Sequence, residues 1–311
     1  MKAAAVAALG CVVLLLPGAV RGAPEARDYG AVFSPDGKTV AFVHAGGGAT
    51  SIDLVDPDGS HRRTLVQAVS PEHLAWSPDG SSIAYDDSQL SIWRVDLATG
   101  TPVRLTTDDP SQGVESWQPS WSPDGTTIAY TRFQTCFRCT AIWLMNSDGT
   151  SPHQIYEQTL QARRPTFSPD GTKLALSLAN DLVVDLDGRS ILTGGGAYTI
   201  WSPRGAYVAY SGNGIWIRNL QTGNVRRLAR RVGAQIAWSP DGTWIAGGLH
   251  KSVALLRARD GSRLKTLPAS NINGGAPSFS HGLVVYAHAG ECGIDIARQN
   301  GTNAHRLTRA C

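Results

Sequence analysis

A ten-residue unit recurs along the chain, and its recurrence limits the folds that this sequence can adopt. The unit begins with Trp or Phe, continues with Ser-Pro-Asp-Gly and ends in a short apolar run. Its copies are FSPDGKTVAF, WSPDGSSIAY, WSPDGTTIAY, FSPDGTKLAL, WSPRGAYVAY, WSPDGTWIAG and a shorter FSHGLVVYA, beginning at Phe33, Trp76, Trp121, Phe167, Trp201, Trp238 and Phe279. These starts lie roughly 34 to 46 residues apart, which is the spacing of four-stranded propeller blades.

The chemistry of the unit predicts a β-hairpin. Pro presets φ, Asp bonds nearby backbone and Gly accepts a positive φ, so Ser-Pro-Asp-Gly forms a tight turn between two extended runs. Between successive units lies a second pair of runs joined by a Gly-containing turn, as in SIWRVDLATGTPVRLT. Each repeat therefore supplies four strands, and the sequence predicts an all-β fold: a seven-bladed β-propeller of four-stranded antiparallel blades.

The first residues have the features of an export signal. Lys2 precedes an apolar stretch from Ala3 to Leu16, and small residues surround a cleavage position after Gly22. We predict a signal peptide over residues 1–22 and a single propeller domain over residues 23–311. Seven blades would then contain about 41 residues each. A six-bladed ring, at about 48 residues per blade, is the alternative.

Charge and hydropathy limit the partners. The net charge of +3 includes Lys2 and Arg21 of the predicted leader, so the mature chain would be nearly neutral, and we expect no nucleic-acid partner. The apolar stretch is too short for a stable membrane span. A lipoprotein anchor at Cys11 is disfavoured because an apolar tail would follow it. We predict a periplasmic or extracellular monomer that has no cofactor and binds a protein or peptide of the cell envelope.

Four cysteines remain after the leader, an even number that suits an oxidising compartment. Three pairings are possible, and we favour Cys136 with Cys139 and Cys292 with Cys311, because each pair lies within one repeat. The second bridge would fasten the outer strand of the last blade and stabilise it by roughly 3 kcal/mol. A redox role for the Cys136–Cys139 pair is the alternative.

The Ser-Pro-Asp-Gly hairpin after an aromatic residue resembles the WD40-like repeat of TolB-type propellers. Pro119, Pro165 and Pro277 also match that family's proline two places before the aromatic. The resemblance covers nearly all of the predicted mature chain and implies the propeller fold. TolB-type proteins carry an α/β domain before six blades, whereas this chain shows seven repeats directly after its leader. The repeat is also similar to the non-catalytic propeller of prolyl-oligopeptidase-type enzymes, whose hydrolase domain this sequence lacks.

Two long connections around the third repeat are the candidates for ligand binding. Loops from strand D to the next strand A and from B to C meet on one face of a propeller, where binding residues concentrate. The connections over residues 106–120 and 132–141, with residues just after the third repeat, predict an acidic and aromatic binding patch. Its members are Asp108, Asp109, Glu115, Trp117, Phe133, Phe137, Arg138, Arg163 and Arg164.

Alignment on the repeat aromatic suggests a second site. The position eleven residues further on, at the end of strand B, holds His44 in the first repeat, Asp87 in the second and, after a deletion, His288 in the seventh. These three repeats are consecutive in a closed ring, so the side chains would be neighbours on one rim. Two imidazoles and a carboxylate are groups that bind metals or transfer protons. Exposed residues with no common role are the alternative.

The sequence contains no Gly-x-Ser-x-Gly elbow, His-Glu-x-x-His helix or phosphate-binding loop, and we assign no catalytic residue. It therefore favours a non-enzymatic binding or scaffold module that contacts an envelope protein, peptide or glycan through its loop face. The alternative is a propeller-type lyase or hydrolase with a site at the channel mouth. A third possibility is a partner domain for a separately encoded peptidase or transport complex.

Overall fold

The computed structural model describes residues 26–68, 70–108, 110–134, 139–158, 162–177, 181–194, 196–230, 235–249, 252–268, 276–287 and 293–309. These residues form seven four-stranded antiparallel sheets, so the predicted seven-bladed propeller is confirmed and the six-bladed alternative is wrong. A 3-10 turn spans Pro110–Gln112. In the described ranges, no helix has the length and apolarity needed to cross a membrane.

Each sheet uses its strands in chain order. The first strands are β1 (Arg27–Phe33), β5 (Ala75–Trp76), β9 (Glu115–Trp121), β13 (Arg163–Phe167), β17 (Thr199–Trp201), β21 (Ile236–Trp238) and β25 (Ser278–Ser280). The second strands are β2 (Val40–Gly46), β6 (Ser82–Asp86), β10 (Thr127–Gln134), β14 (Lys173–Ser177), β18 (Tyr207–Ser211), β22 (Trp244–Leu249) and β26 (Leu283–Ala287). The third strands are β3 (Ala49–Val55), β7 (Ile92–Asp96), β11 (Cys139–Asn146), β15 (Asp181–Asp185), β19 (Ile215–Asn219), β23 (Ser252–Arg257) and β27 (Ile294–Arg298). The fourth strands are β4 (Arg63–Gln67), β8 (Pro102–Arg104), β12 (His153–Gln158), β16 (Ser190–Thr193), β20 (Val225–Ala229), β24 (Arg263–Pro268) and β28 (His305–Arg306).

The Ser-Pro-Asp-Gly turns hold themselves together by local hydrogen bonds. In the first repeat the Ser34 hydroxyl donates to Asp36 Oδ1 at 2.7 Å, and the backbone N–H of Thr39 donates to Ser34 Oγ at 3.0 Å. The same serine-to-aspartate bond recurs at Asp79, Asp124, Asp170 and Asp241. The Ser168 hydroxyl is the main cause that lowers the pKa of Asp170 to about 2. These carboxylates are therefore turn-forming groups.

Apolar packing occurs between the blades. The buried apolar side chains of the described residues form seven clusters, and each cluster is shared by two neighbouring blades. The run Ile83-Ala84-Tyr85 shows how alternation along a strand serves both neighbours. Ile83 and Tyr85 pack with the first blade, whereas Ala84 faces the third blade and shares a cluster with Trp121. The small alanine thus leaves space for the aromatic residue of the next repeat.

Tryptophan at the start of a repeat adds a hydrogen bond to this packing. The indole N–H of Trp76, Trp121 and Trp201 donates to a backbone carbonyl of the preceding inner strand, at 3.2, 3.1 and 2.9 Å respectively. The acceptor is in each case the residue just before the preceding repeat's aromatic position, for example Ala75 for Trp121. The indole N–H of Trp238 is buried without an acceptor in the described part of the chain.

The last blade packs directly against the first. Phe33 and Phe42 share a cluster with Val285 and Ile294 of the seventh blade, and the backbone N–H of Phe33 donates to Ser278 Oγ at 3.2 Å. The seventh sheet contains four consecutive strands, β25 to β28, so closure needs no strand exchange. The ring is therefore closed by side-chain packing between complete blades.

Several predictions concern residues outside the described ranges. They include the leader over residues 1–22 and the cysteines Cys136, Cys292 and Cys311. Cys139 begins β11, but its side chain is not described. The signal peptide and both disulfide bonds stay predictions.

The inter-blade indole bonds should contribute measurably to stability. We expect Trp121→Phe to lower the free energy of unfolding by ~1 kcal/mol more than Trp238→Phe, because only Trp121 loses a hydrogen bond while the loss of ring size is the same. Chemical denaturation followed by circular dichroism would measure the difference. Equal losses in the two variants would show that the bond to the Ala75 carbonyl adds nothing.

Candidate active site

A cavity of about 780 Å³ lies inside the ring and is lined by the inner strands. In every blade, the residue three positions before the repeat aromatic reaches this cavity. These seven residues are Gly30, His73, Gln118, Arg164, Tyr198, Gln235 and Ala276. They lie where the inner strands begin, on the face that carries the connections between blades. We call this group of seven residues the channel mouth.

His73 is the histidine of the channel mouth, and Asp86 holds it in place. Its Nδ1 lies 2.9 Å from Oδ2 of Asp86, whose side chain is 3% exposed. The same carboxylate accepts the backbone N–H of His73 at 2.8 Å and that of Gln118 at 2.8 Å. Since both carboxylate oxygens already accept backbone donors, we place the shared proton on Nδ1 of His73.

Arg164 faces the other nitrogen of the same imidazole. Its Nη2 lies 3.1 Å from Nε2 of His73. A guanidinium can only donate, so Nε2 of His73 accepts in this contact and its lone pair faces Arg164 at the channel mouth. The guanidinium also lies over the Tyr198 ring, with Cζ 4.3 Å from the ring centroid. An imidazole nitrogen that can act as a base and a guanidinium held in a fixed position are therefore in direct contact.

Gln118 completes a closed cycle of hydrogen bonds across three blades. Its side-chain Oε1 accepts the backbone N–H of Arg164 at 3.0 Å, while its own backbone N–H donates to Asp86. The cycle therefore runs from His73 to Asp86, Gln118 and Arg164 and returns to His73. Its members come from the second, third and fourth blades. Such a cycle fixes the position of each group relative to the others.

Backbone conformation at the channel mouth departs from ordinary strand geometry. Gln118 and Arg164 have φ of 61° and 53°, the left-handed region that side chains disfavour, and Gly30 has φ of 67° at the equivalent position. The strand register shifts beside all three residues, which is the mark of a bulge. A non-glycine residue there costs on the order of 1 kcal/mol. Strained backbone is therefore present at two positions whose side chains line the cavity.

Asp86 has a carboxylate at a repeat position where the next two blades have a hydroxyl group. The equivalent residues of the next two blades are Thr131 and Ser177, whose hydroxyls accept a backbone N–H of the following blade at 3.2 and 3.0 Å. A hydroxyl is therefore enough for the structural bond between blades. The carboxylate of Asp86 makes that bond and also orients the His73 ring, so its additional role concerns His73.

Two further ionisable groups line the cavity beside His73. They are Tyr29 and Glu72. Burial raises the pKa of the Tyr29 phenol, and the negative charge of Glu72 raises it further. Tyr29 therefore keeps its proton at neutral pH and is a potential proton donor in the cavity.

The structure brings part of the predicted binding patch together. The rings of Trp117 and Phe133 stack with centroids 6.4 Å apart, and the Arg163 guanidinium lies over Trp117 at 5.5 Å. Arg164 reaches the channel mouth. The buried Asp108 carboxylate pairs with Arg132 at 3.2 Å.

The structure gives little information on the other members of the predicted patch. Glu115 is partly exposed and pairs with Phe133 in the β9–β10 ladder. Asp109, Phe137 and Arg138 lie outside the described residues. The patch as a whole stays a prediction.

The predicted rim site is described only in part. His44 Nδ1 lies 2.7 Å from Asp28, and Asp87 accepts the indole N–H of Trp93 at 2.9 Å and two backbone N–H groups of its own turn. His288 is not described. Within the described ranges, no group of three or more His, Cys, Asp or Glu residues could hold a metal ion. The trio of His44, Asp87 and His288 stays a prediction.

Sequence reasoning did not identify His73, Asp86, Gln118 or Tyr198. A usable signal is present in the repeat alignment. Three positions before the aromatic, the copies differ widely in chemistry, whereas the turn and the following strand are nearly constant. Variable residues at a fixed position of a constant scaffold are the expected signature of a site.

Comparison with known proteins adds two kinds of finding. No protein-family model matches the chain. Among curated proteins, the uncharacterized protein Atu1656 of Agrobacterium fabrum is 29% identical over 212 residues, which cover 59% of this chain and 70% of that protein.

Similar solved structures are propellers. An oligogalacturonate lyase in complex with manganese has a TM-score of 0.68 at 16% identity, with 84% of this chain and 85% of that chain covered. The oligogalacturonate lyase of Vibrio parahaemolyticus has the same TM-score and identity, with 88% and 90% covered. TolB of Acinetobacter baumannii has a TM-score of 0.51 at 21% identity, and the match covers 89% of this chain but 62% of TolB. The fold is a TolB-like β-propeller.

The lyase structures correct one prediction. We expected a non-enzymatic binding or scaffold module because the sequence lacks a linear catalytic motif. That expectation is wrong, since the two similar structures with TM-scores of 0.68 are enzymes. The absence of a linear motif is weak evidence in this architecture, because residues of a channel mouth come from separate blades. The envelope protein or peptide partner stays a prediction.

Removal of the Asp86 carboxylate should release the His73 ring without unfolding the ring of blades. In Asp86→Thr the hydroxyl can keep the inter-blade bond, as Thr131 does in the next blade, but Nδ1 of His73 loses its acceptor. We expect imidazole ¹⁵N spectra to show one Nδ1-protonated form of His73 in the natural protein and a mixture in the variant. Thr131→Ser is the matched control. Unchanged His73 spectra in Asp86→Thr would contradict the proposed orientation.

Proposed function

We propose that this protein is a lyase that cleaves an acidic oligosaccharide at the channel mouth by β-elimination. The observation that carries the proposal is the 3.1 Å contact between the unprotonated Nε2 of His73 and the Arg164 guanidinium. Elimination next to a carboxylate needs a base for the proton and a cation for the carboxylate. These two groups meet here in one cavity.

Arg164 would bind the carboxylate of a uronate unit. A guanidinium recognises carboxylate through two parallel hydrogen bonds, and the Tyr198 ring beneath it keeps its plane fixed. The bound carboxylate would displace His73 from the guanidinium and leave Nε2 beside the carbon that bears the α-proton. Neutralisation of the carboxylate lowers the cost of the negative charge that develops on it.

The reaction balances with groups present in the cavity. Nε2 of His73 takes the proton from the carbon next to the carboxylate, and that electron pair forms a carbon–carbon double bond. The bond between the adjacent carbon and the glycosidic oxygen breaks. The leaving oxygen takes a proton, which the phenol of Tyr29 could supply because its raised pKa keeps it protonated.

Elimination fits these residues better than hydrolysis does. Most glycoside hydrolases use two carboxyl groups, one on each side of the scissile bond. Of the two acidic residues described beside the channel mouth, Asp86 is occupied by His73 and two backbone N–H groups, which leaves Glu72. A single available carboxyl group does not match the hydrolytic arrangement.

The described residues of the cavity do not fit a manganese ion like that named for one similar lyase structure. Nε2 of His73 faces the Arg164 guanidinium, so a cation already lies where a metal would bind. No group of three His, Cys, Asp or Glu ligands is found among the described residues. The proposed steps therefore use side chains alone.

The substrate class is suggested by two observations. The channel mouth presents a positive charge to its ligand, which suits an anionic sugar. Oligogalacturonate lyases have the same propeller fold, and their name states that they act on a polymer of an acidic sugar. Oligogalacturonates are therefore the first substrates to test.

The purified protein should convert oligogalacturonates to products with a new double bond. We expect an increase in ultraviolet absorbance that matches the increase in reducing ends, with Mn²⁺ present in every assay. His73→Ala should lower kcat by ~10²- to 10⁴-fold, because the general base is lost. Arg164→Gln should lower kcat/KM through loss of the carboxylate contact.

His305→Ala is the control for the His73 variant. His305 lies on the outermost strand of the seventh blade, and its ring contacts a backbone carbonyl at 2.9 Å. It should keep full activity. Reducing ends without ultraviolet absorbance would indicate hydrolysis instead. Full activity of His73→Ala, or no unsaturated product from any uronate oligosaccharide, would refute the proposed function.

A further inference from the structure

Arg163 and Trp117 lie immediately beside the channel mouth. Arg163 precedes Arg164 in β13, and Trp117 precedes Gln118 in β9. The Arg163 guanidinium lies over the indole of Trp117 at 5.5 Å, and Phe133 stacks against the same indole. All three residues are partly exposed. We call Trp117, Phe133 and Arg163 the side subsite.

The side subsite contains donors without acceptors. Nε of Arg163 and Nε1 of Trp117 are buried and have no hydrogen-bond partner among the described residues. The tryptophans at 76, 121 and 201 differ in this respect, because each donates to a carbonyl of the neighbouring blade. Arg132, on the next strand, also has a buried Nε without a hydrogen bond, but its charge is paired with the buried Asp108 carboxylate. Arg163 has no ion-pair partner among the described residues, so the charge of its partly exposed guanidinium suits an acidic group brought by a ligand.

The bulge in β13 explains how two successive arginines serve one region. The register shifts between Arg163 and Thr166, so an extra residue interrupts the usual alternation of side chains. Arg164 reaches His73 of the second blade and Arg163 reaches Trp117 of the third blade. Two successive guanidinium groups of one strand thus contact residues of two different blades.

We propose that the side subsite binds the carboxylate of a second uronate unit in the substrate chain. This inference rests on the proposed function, in which Arg164 binds the uronate that reacts. Arg163 supplies the charge-assisted bonds, and the Trp117 indole, against which Phe133 stacks, supports its guanidinium. The protein would then select chains with two neighbouring acidic sugars over chains in which one acidic sugar has a neutral neighbour.

Binding can be measured apart from catalysis. In a His73→Ala background, we expect calorimetry with trigalacturonate to show about tenfold weaker binding when Arg163→Gln is added, because a charge-assisted contact is lost. The matched control is Arg227→Gln. Arg227 also lies over an indole, that of Trp216 at 5.2 Å, but on the outer strand of the fifth blade. It should leave binding unchanged.

Turnover gives a second readout. With unmodified trigalacturonate, Arg163→Gln should raise KM about tenfold with little change in kcat, since its contact is present in both ground and transition states. With a trimer that is methyl-esterified at the unit next to the reacting one, the natural protein and Arg163→Gln should have similar KM values. Trp117→Leu should follow Arg163→Gln, because the guanidinium loses its support.

The two proposals fail in different ways. Equal trigalacturonate affinity with and without Arg163→Gln would overturn the side subsite, whereas the elimination reaction would stand if His73 remained essential. Arg163-dependent binding without any unsaturated product would overturn the lyase proposal and leave the side subsite as a carboxylate-binding site. A KM that rises equally for free and esterified trimers would show that Arg163 does not contact the second carboxylate.

Discussion

Burial of both faces of every sheet is the constraint on which this structure depends. A four-stranded sheet with two apolar faces is stable only between two neighbours, and seven such sheets satisfy one another when the ring closes. The run of Ile, Ala and Tyr on the second strands meets this need, because large side chains face one neighbour and alanine receives the aromatic residue of the other. Closure between the seventh and first blades uses the same packing. Every repeat is subject to this constraint, so few residue types are acceptable in its turns and second strands.

The positions at which the residue type can vary are concentrated near the start of the inner strands. Those positions face the cavity, and most of their side chains take no part in the apolar packing between blades. Tyr198 is an exception, because its ring packs against the cluster between the fifth and sixth blades. Gly, His, Gln, Arg, Tyr, Gln and Ala occupy the seven equivalent positions. A nearly symmetric scaffold thus carries a strongly asymmetric group of side chains. The chemical character of the channel mouth follows from this separation between packing positions and lining positions.

The repeat was sufficient to predict the blades, their number and their four strands, because the turn chemistry and the alternation are local properties of the sequence. The site was harder to predict. Alignment at the end of strand B selected Asp87, whose carboxylate serves its own turn, although the residue just before it, Asp86, orients His73. Adjacent strand residues point to opposite faces, so an error of one position selects the wrong side of the sheet. Arg164 belongs to the predicted binding patch, but its contact with His73 depends on a positive φ that the sequence does not reveal.

The ring also explains how a histidine and an arginine 91 residues apart can be held 3.1 Å from each other. Arg164 lies on an inner strand and His73 lies two residues before one, and the position of both strands is fixed by apolar packing on both sides. The bond from Gln118 to Arg164 and the bonds of Asp86 to His73 and Gln118 then remove the remaining freedom of the side chains. Once a substrate carboxylate has replaced the contact between His73 and Arg164, a base and a cation held in this way need little further reorganisation when charge develops, and such preorganisation is a large part of electrostatic catalysis. In a flexible loop the same two residues would separate into solvent, so the rigidity that the repeat provides is itself a requirement of the proposed chemistry.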